Sequence, residues 1–128
     1  MALHNELGRW GEQMAAEYME QKGWYIRHRD WRFRDTDIDM VCIDEDDTTI
    51  VFVEVKTRSN DLHGRPSLAV NHAKRRNIVM AADAYVRQER KENRMLRYDI
   101  ISIIGTPGNI KEIEHIEDAF NMLDVFLG

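Results

Sequence analysis

Apolar positions recur with different periods along the chain, and each change of period marks a new element. From about Asn5 to Lys22, Leu7, Met14, Ala15, Tyr18 and Met19 fall near the i, i+4, i+7 stripe of an amphipathic helix, and Gly23 is placed to stop it. Trp24 to Arg29 is aromatic and β-branched and reads as a short strand. Asp37 to Asp44 reads as a second, with Ile38, Met40 and Cys42 on one side. After the polar turn Asp44-Glu45-Asp46-Asp47, Thr48 to Thr57 is the clearest strand. Its continuous apolar run, Ile50-Val51-Phe52-Val53, belongs at the centre of a sheet covered by helices on both sides.

A loop with Ser59, Asn60, Asp61 and Gly64 follows, and Pro66 suits the first position of a helix from about Ser67 to Arg90. The spacing puts Val70, Ala73, Asn77, Ala81, Ala84 and Tyr85 on its buried face and Lys74, Arg75 and Arg76 on a more exposed one. Leu96 to Ile104 reads as a strand ended by Gly105-Thr106-Pro107-Gly108, Ile110 to Ile116 as an edge strand, and Asp118 to Leu127 as a terminal helix. The order predicts a single α/β domain with a central mixed β-sheet flanked by helices.

Composition narrows the class. With 128 residues, 43% hydrophobic and 32% charged, the chain fits one water-soluble domain over residues 1–128. No apolar stretch approaches the roughly 20 residues that span a bilayer. The first residues, Met1 to Glu6, lack the basic and apolar regions of a secretory signal, so a cytoplasmic location is expected. The lone cysteine, Cys42, lies between Val41 and Ile43 and reads as a buried reduced thiol. A net charge of −5 argues against a generic nucleic-acid binder. Its distribution is uneven, however. Eight carboxylates fall between Asp35 and Glu54 with no basic residue among them, while Arg27, Arg29, Arg32 and Arg34 precede the block and Lys56, Arg58, Arg65, Lys74, Arg75 and Arg76 follow it.

Strand alternation sets Phe52, Glu54 and Lys56 on one face, so a carboxylate and an ammonium emerge together where an apolar strand ends. A hairpin brings Asp39 of the preceding strand alongside Glu54. Two carboxylates about 4 Å apart repel by roughly 4 kcal/mol at an effective dielectric near 20, which asks for a counter-charge. Mg²⁺, commonly held by one or two carboxylates with water and substrate phosphate, meets that demand. Lys56 is placed to act on an attacking water or on charge developing at the phosphate. The same spacing also fits a plain Glu54–Lys56 ion pair with Asp39 solvating a strand end.

A longer succession is more specific: Gly11-Glu12, Ala15 or Ala16, Gly23, Arg29-Asp30-Trp31-Arg32, Asp37-Ile38-Asp39, Val51 to Arg58, Pro66, Ala69-Val70, Lys74, Arg97-Tyr98-Asp99 and Ala119-Phe120. It resembles the YraN-like family of the restriction-endonuclease-like, PD-(D/E)XK superfamily, related to archaeal Holliday-junction resolvases. The resemblance implies a restriction-endonuclease-like fold, with Asp39 and Glu54 as metal ligands and Lys56 as catalytic lysine. It also adds Glu12, on the first helix, to the catalytic and metal-binding set. Arg58 and Lys74 match basic family positions and are candidates, with Arg29 and Arg32, for contact with nucleic acid. Two positions depart from the family pattern: Thr36-Asp37 stands where Gly-Glu is common, and Asp30 where Asn is frequent.

Two function classes fit. The first is an endonuclease dependent on Mg²⁺ or Mn²⁺ that hydrolyses phosphodiester bonds in branched or structured DNA, such as repair intermediates. The second is a nucleic-acid-binding or adaptor protein that keeps the fold with little or no catalysis. Phe120, Leu123, Val125, Phe126 and Leu127 offer an apolar surface for a homodimer or for packing within the chain. His28, His63, His72 and His115 lack metal-ligand spacing and read as surface or loop residues.

Overall fold

The computed structural model describes residues 2–127, with side chains from residue 6 onward. Helix α1 (Ala2–Gln21) leads into β1 (Tyr25–Phe33), β2 (Thr36–Ile43) and β3 (Thr49–Arg58). A 3-10 turn at Pro66–Ala69 and α2 (His72–Gln88) cross to β4 (Met95–Thr106), and β5 (Asn109–Phe120) and α3 (Met122–Leu127) complete the chain. The five strands lie in sequence order in one sheet, antiparallel except for the parallel β3–β4 pair. That parallel pair needs a crossover, which α2 supplies.

The sheet divides the core into two layers. Val51, Val53 and Val55 of β3 and Ile101 and Ile103 of β4 face α1, where Ala15, Ala16 and Met19 cover them. Phe52 and Ile100 face α2, whose Ile78, Val79, Ala81, Ala82, Tyr85 and Val86 are buried against them. Both faces of β3 are therefore apolar, as its unbroken run predicts. Helix α1 ends in a Schellman motif: Gly23, at φ +95°, donates to the Glu20 carbonyl and Trp24 to the Met19 carbonyl. Cys42 is buried, which pushes its thiol up to about 12. Among the described residues no helix is long and apolar enough to cross a membrane.

Several elements differ from the pattern-based expectation. Strand β1 continues to Phe33: Asp30, at φ 53°, kinks the strand without ending it, and the pairing with β2 keeps its register from Arg29↔Met40 to Trp31↔Ile38. Arg29 reaches α1 through Gln13, yet Trp31 packs edge-on against Tyr85 of α2. Its partner strand changes face at the same level: Ile38 joins the α2 layer while Met40 and Cys42 join the α1 layer, so the three do not share one side.

Helix α2 begins at His72, not Ser67, since Pro66 opens only the 3-10 turn and Asn71 is the true cap. Its buried face runs through Ile78, Val79, Ala81, Ala82, Tyr85 and Val86, so of the expected positions Ala81 and Tyr85 are buried, whereas Ala73 and Asn77 are exposed and Ala84 is half-buried. Strand β5 extends to Phe120, which stacks on Tyr98 with ring centres 5.3 Å apart. Helix α3 therefore starts at Met122, after a reciprocal cap in which Asn121 accepts the Asp124 N–H (2.9 Å) and Asp124 accepts the Asn121 N–H (3.2 Å). Phe120 and Val125 are consumed by the chain's own core, leaving Leu123, Phe126 and Leu127 exposed.

Candidate metal centre

Strands β2 and β3 pair from Ile43↔Ile50 to Met40↔Val53 and separate beyond that point. Asp39 is the first residue past the last pair. Its Oδ2 accepts the Val55 backbone N–H at 2.8 Å, so a carboxylate takes over where the ladder bond stops. Glu54, 4% exposed, lies across the opening. Its Oε2 is 3.5 Å from Lys56 Nζ and 3.7 Å from Lys74 Nζ, while its Oε1 is buried without a hydrogen-bond partner.

Glu12 arrives from the α1 layer because α1 approaches β3 closely. A Cβ on Gly11 would collide with the Thr57 side chain, so glycine is required for the contact that seats the next residue. Oxygens of Glu12, Asp30 and Asp39 lie within 4.8 Å of one another. Crowding shows in their protonation. Burial and then the charge of Glu54 raise Asp39 well above the ordinary carboxylate value, against the opposing Val55 hydrogen bond. Burial raises Glu12 as well, helped by Asp30, with Arg29 pulling the other way.

The donor set fits a hard divalent cation. Glu12, Asp30 and Asp39 bring together three carboxylate oxygens, the donor type that Mg²⁺ prefers, and Glu54, whose charge acts on Asp39 and Glu12, has a further oxygen left orphaned. Lys74 enters this centre directly. Asn71 caps α2 by accepting the Lys74 backbone N–H (2.9 Å), which fixes the lysine in the first turn beside Glu54.

These residues lie inside a region shared with known proteins. The sequence model described as "Uncharacterised protein family UPF0102" matches residues 11–103. The chain belongs to this family. A UPF0102 protein of Bacteroides thetaiotaomicron is 46% identical over 120 residues, covering 94% of this chain and 96% of that one. Another, from Geobacter metallireducens, is 42% identical over 123 residues, covering 95% and 98%. Among solved structures, a repair endonuclease from Pyrococcus abyssi aligns at 24% identity and a TM-score of 0.34. The alignment takes in 66% of this chain and 34% of that one, so the chain spans about a third of that protein's length. The UPF0102 match opens on Gly11-Glu12 and contains Asp30, Asp39, Glu54, Lys56 and Lys74, whereas β5 and α3 fall outside it.

Of the other residues proposed to touch nucleic acid, Arg29 is exposed and donates to Gln13 Oε1 (2.9 Å) on α1. Arg58, also exposed, donates to the Thr57 carbonyl (3.0 Å). Arg32 is paired with Asp37 at 3.0 Å, which offsets its charge. Asp30 is the member that sequence reasoning left out of the centre. Its signal was an Asp in mid-strand, since Asp and Asn tolerate the positive φ that a strand kink requires.

Two histidines are not loop residues. His115 on β5 has its side chain buried, with Nε2 2.6 Å from Asp99 Oδ2, and His28 on β1 bonds the Tyr85 hydroxyl at 2.7 Å.

Proposed function

We propose that the protein is a Mg²⁺- or Mn²⁺-dependent endonuclease that hydrolyses phosphodiester bonds in structured DNA. One observation carries the reading: a buried glutamate, Glu54, gives one oxygen to two lysines and leaves the other unpartnered, while its charge acts on Asp39 and Glu12, whose oxygens cluster with that of Asp30. The order of Asp39, Glu54 and Lys56 supports it, since it resembles the D-x(n)-E-x-K pattern of nucleases.

Glu12, Asp30, Asp39 and Glu54 would hold the cation. Such an ion polarises a phosphoryl oxygen and makes bound water more acidic. The chain's own groups do the rest. Lys56 and Lys74 set two ammonium charges where negative charge builds on the phosphorus-bound oxygens, and they are fixed there by Glu54 before substrate arrives. Lys56, the less exposed of the two, also orients the attacking water. Hydroxide from that water joins phosphorus as the bond to the leaving oxygen breaks, and that oxygen takes up a proton. Arg29 and Arg58, whose hydrogen bonds go to neutral groups, remain available to flanking phosphates.

A second reading, a DNA-binding or adaptor role without turnover, draws on charge. The total is −5, and Arg27, Arg32, Arg65, Arg94 and Arg97 are paired with the chain's own carboxylates. Cleavage of four-way junctions, flaps and plain duplex with Mg²⁺, Mn²⁺ or chelator separates the two. The nuclease gives metal-dependent product, and Glu54→Ala or Lys56→Ala lowers the rate by about a hundredfold or more. Cleavage that survives both changes rules out this centre, and binding without product under every metal leaves the adaptor role.

A further inference from the structure

Beyond Lys56 the chain leaves β3 at Arg58 and is anchored again at the buried Pro66 and Ser67. The intervening segment surrounds a cavity of about 430 Å³. Proteins hold small molecules in clefts of about 300–1,000 Å³. This one has walls of two kinds. Leu62 and Leu68, 80% and 74% exposed, present apolar surface, whereas Ser59, Asn60 and His63 contribute polar edges. Asn60, which lines the cleft, accepts the Leu62 backbone N–H on Oδ1 (3.1 Å), an Asx turn that does not engage its amide N–H groups. Arg65 ties the segment to β5 through Glu112 and Glu114, so the cavity's outer wall is held against the sheet.

Position and chemistry select an occupant. Glu54, Lys56 and Arg58 alternate onto one side of β3, so Arg58 stands about 7 Å beyond Lys56 along the strand. A DNA strand with one phosphate at Lys56 brings its neighbouring nucleotide to Arg58, at the mouth of the cavity. A nucleobase has two faces that stack on apolar surface and a hydrogen-bonding edge, which matches these walls. A base inside a duplex is paired and stacked and cannot enter. Exposed leucines beside a nucleic-acid path are also the side-chain type that wedges between bases.

We infer that the cavity of residues 58–69 is a subsite for one unpaired nucleobase adjoining the scissile phosphate, with Leu62 and Leu68 against its faces and Asn60 on its edge. This rests on the nuclease reading of the neighbouring centre and narrows its substrate to DNA with an unpaired nucleotide beside the cut.

The test uses the whole chain with two duplexes that differ by a single unpaired 2-aminopurine nucleotide, in Ca²⁺, which accepts the same oxygen ligands. The bulged duplex binds roughly tenfold or more tightly than the paired one, a margin in the range of one stacked base, and its 2-aminopurine fluorescence changes on binding. Leu62→Ala with Leu68→Ala removes the margin, while Leu62→Phe, which keeps a stacking surface, preserves it. Equal affinity for both duplexes, or a margin untouched by the double change, overturns the subsite. Metal-dependent cleavage of both duplexes at equal rates overturns it too, while leaving the nuclease reading intact. Capture of the unpaired base with no cleavage under Mg²⁺ or Mn²⁺ keeps the subsite and removes the nuclease.

Discussion

Asp99 and Glu54 are buried carboxylates on adjacent, parallel strands, and they are treated in opposite ways. Asp99 Oδ1 accepts from Arg97 Nε (2.9 Å) and the Asp118 backbone N–H (2.9 Å), and Oδ2 receives Arg97 Nη2 (2.8 Å) and lies 2.6 Å from His115. Burial pushes its pKa up, but the bonds from His115, Arg97 and Asp118 outweigh that and hold it below the ordinary value. Glu54 keeps one oxygen unpartnered, and its charge helps to raise Asp39. A saturated carboxylate fixes the fold by tying β4 to β5. An undersaturated cluster stores like-charge repulsion that a bound cation or proton uptake relieves. The Asp99, His115 and Glu117 atoms also lie within 4.8 Å of one another, but the Arg97 guanidinium already bonds Asp99 and Glu117 and supplies the cation there.

The largest effect that separates the two regions is on stability. Asp99→Ala leaves the His115 ring and the Asp118 N–H without their partner and Arg97 with Glu117 alone, and costs about 3–5 kcal/mol, read from urea unfolding. A loss below about 1 kcal/mol would mean that Asp99 is no structural anchor. Next in size is the response to metal. Mn²⁺ at a hundred times its dissociation constant stabilises the native state by about 2.7 kcal/mol. Asp39→Asn combined with Glu54→Gln abolishes that gain, whereas Glu117→Gln retains it. An equal gain in all three proteins would move the ion away from the proposed centre.

The difference between the regions also explains what was legible from residues alone. Glu54 and Lys56 could be placed because β3 alternates readably, Asp39 because a hairpin brings its strand alongside Glu54, and the apolar run of β3 fixed which strand is central. The first helix was legible from its stripe, and the packing of Gly11 on Thr57 gives Glu12 a structural reason to reach the site. Asp30 was not placed in the cluster because a kink breaks alternation, and two-residue periodicity carries no information across it. The same cause put Ile38 with Met40 and ended β1 too early. At the other end, Asp118 has φ 51° and gives its N–H to Asp99, a long-range contact that carries β5 on to Phe120 where local pattern suggested helix. Lys74 was legible as a basic residue but not as a partner of Glu54, since that depends on Asn71 capping α2.

The smallest predicted effect is the most direct measure of stored repulsion. Asp39 has a raised pKa in the folded protein, so between the ordinary carboxylate value of 3.8 and the folded value the native state holds more protons than the unfolded one. The stability that Asp39 contributes is therefore full below 3.8 and is lost as pH rises through its folded pKa. Asp99 has the opposite sign: its contribution is present above 3.8 and is lost as pH falls through its lowered value. Asp39→Asn keeps an amide oxygen to accept the Val55 N–H but removes the charge. Without metal, the variant should lose the decline toward neutral pH while keeping the acid limb set by Asp99. At neutral pH it should exceed the parent by about 0.5–2 kcal/mol, the range for relief of a functional strain. Urea unfolding across the acid and neutral range measures both limbs. A variant less stable than the parent at neutral pH would show that Asp39 is a structural carboxylate like Asp99, and the contrast between the two regions would fail.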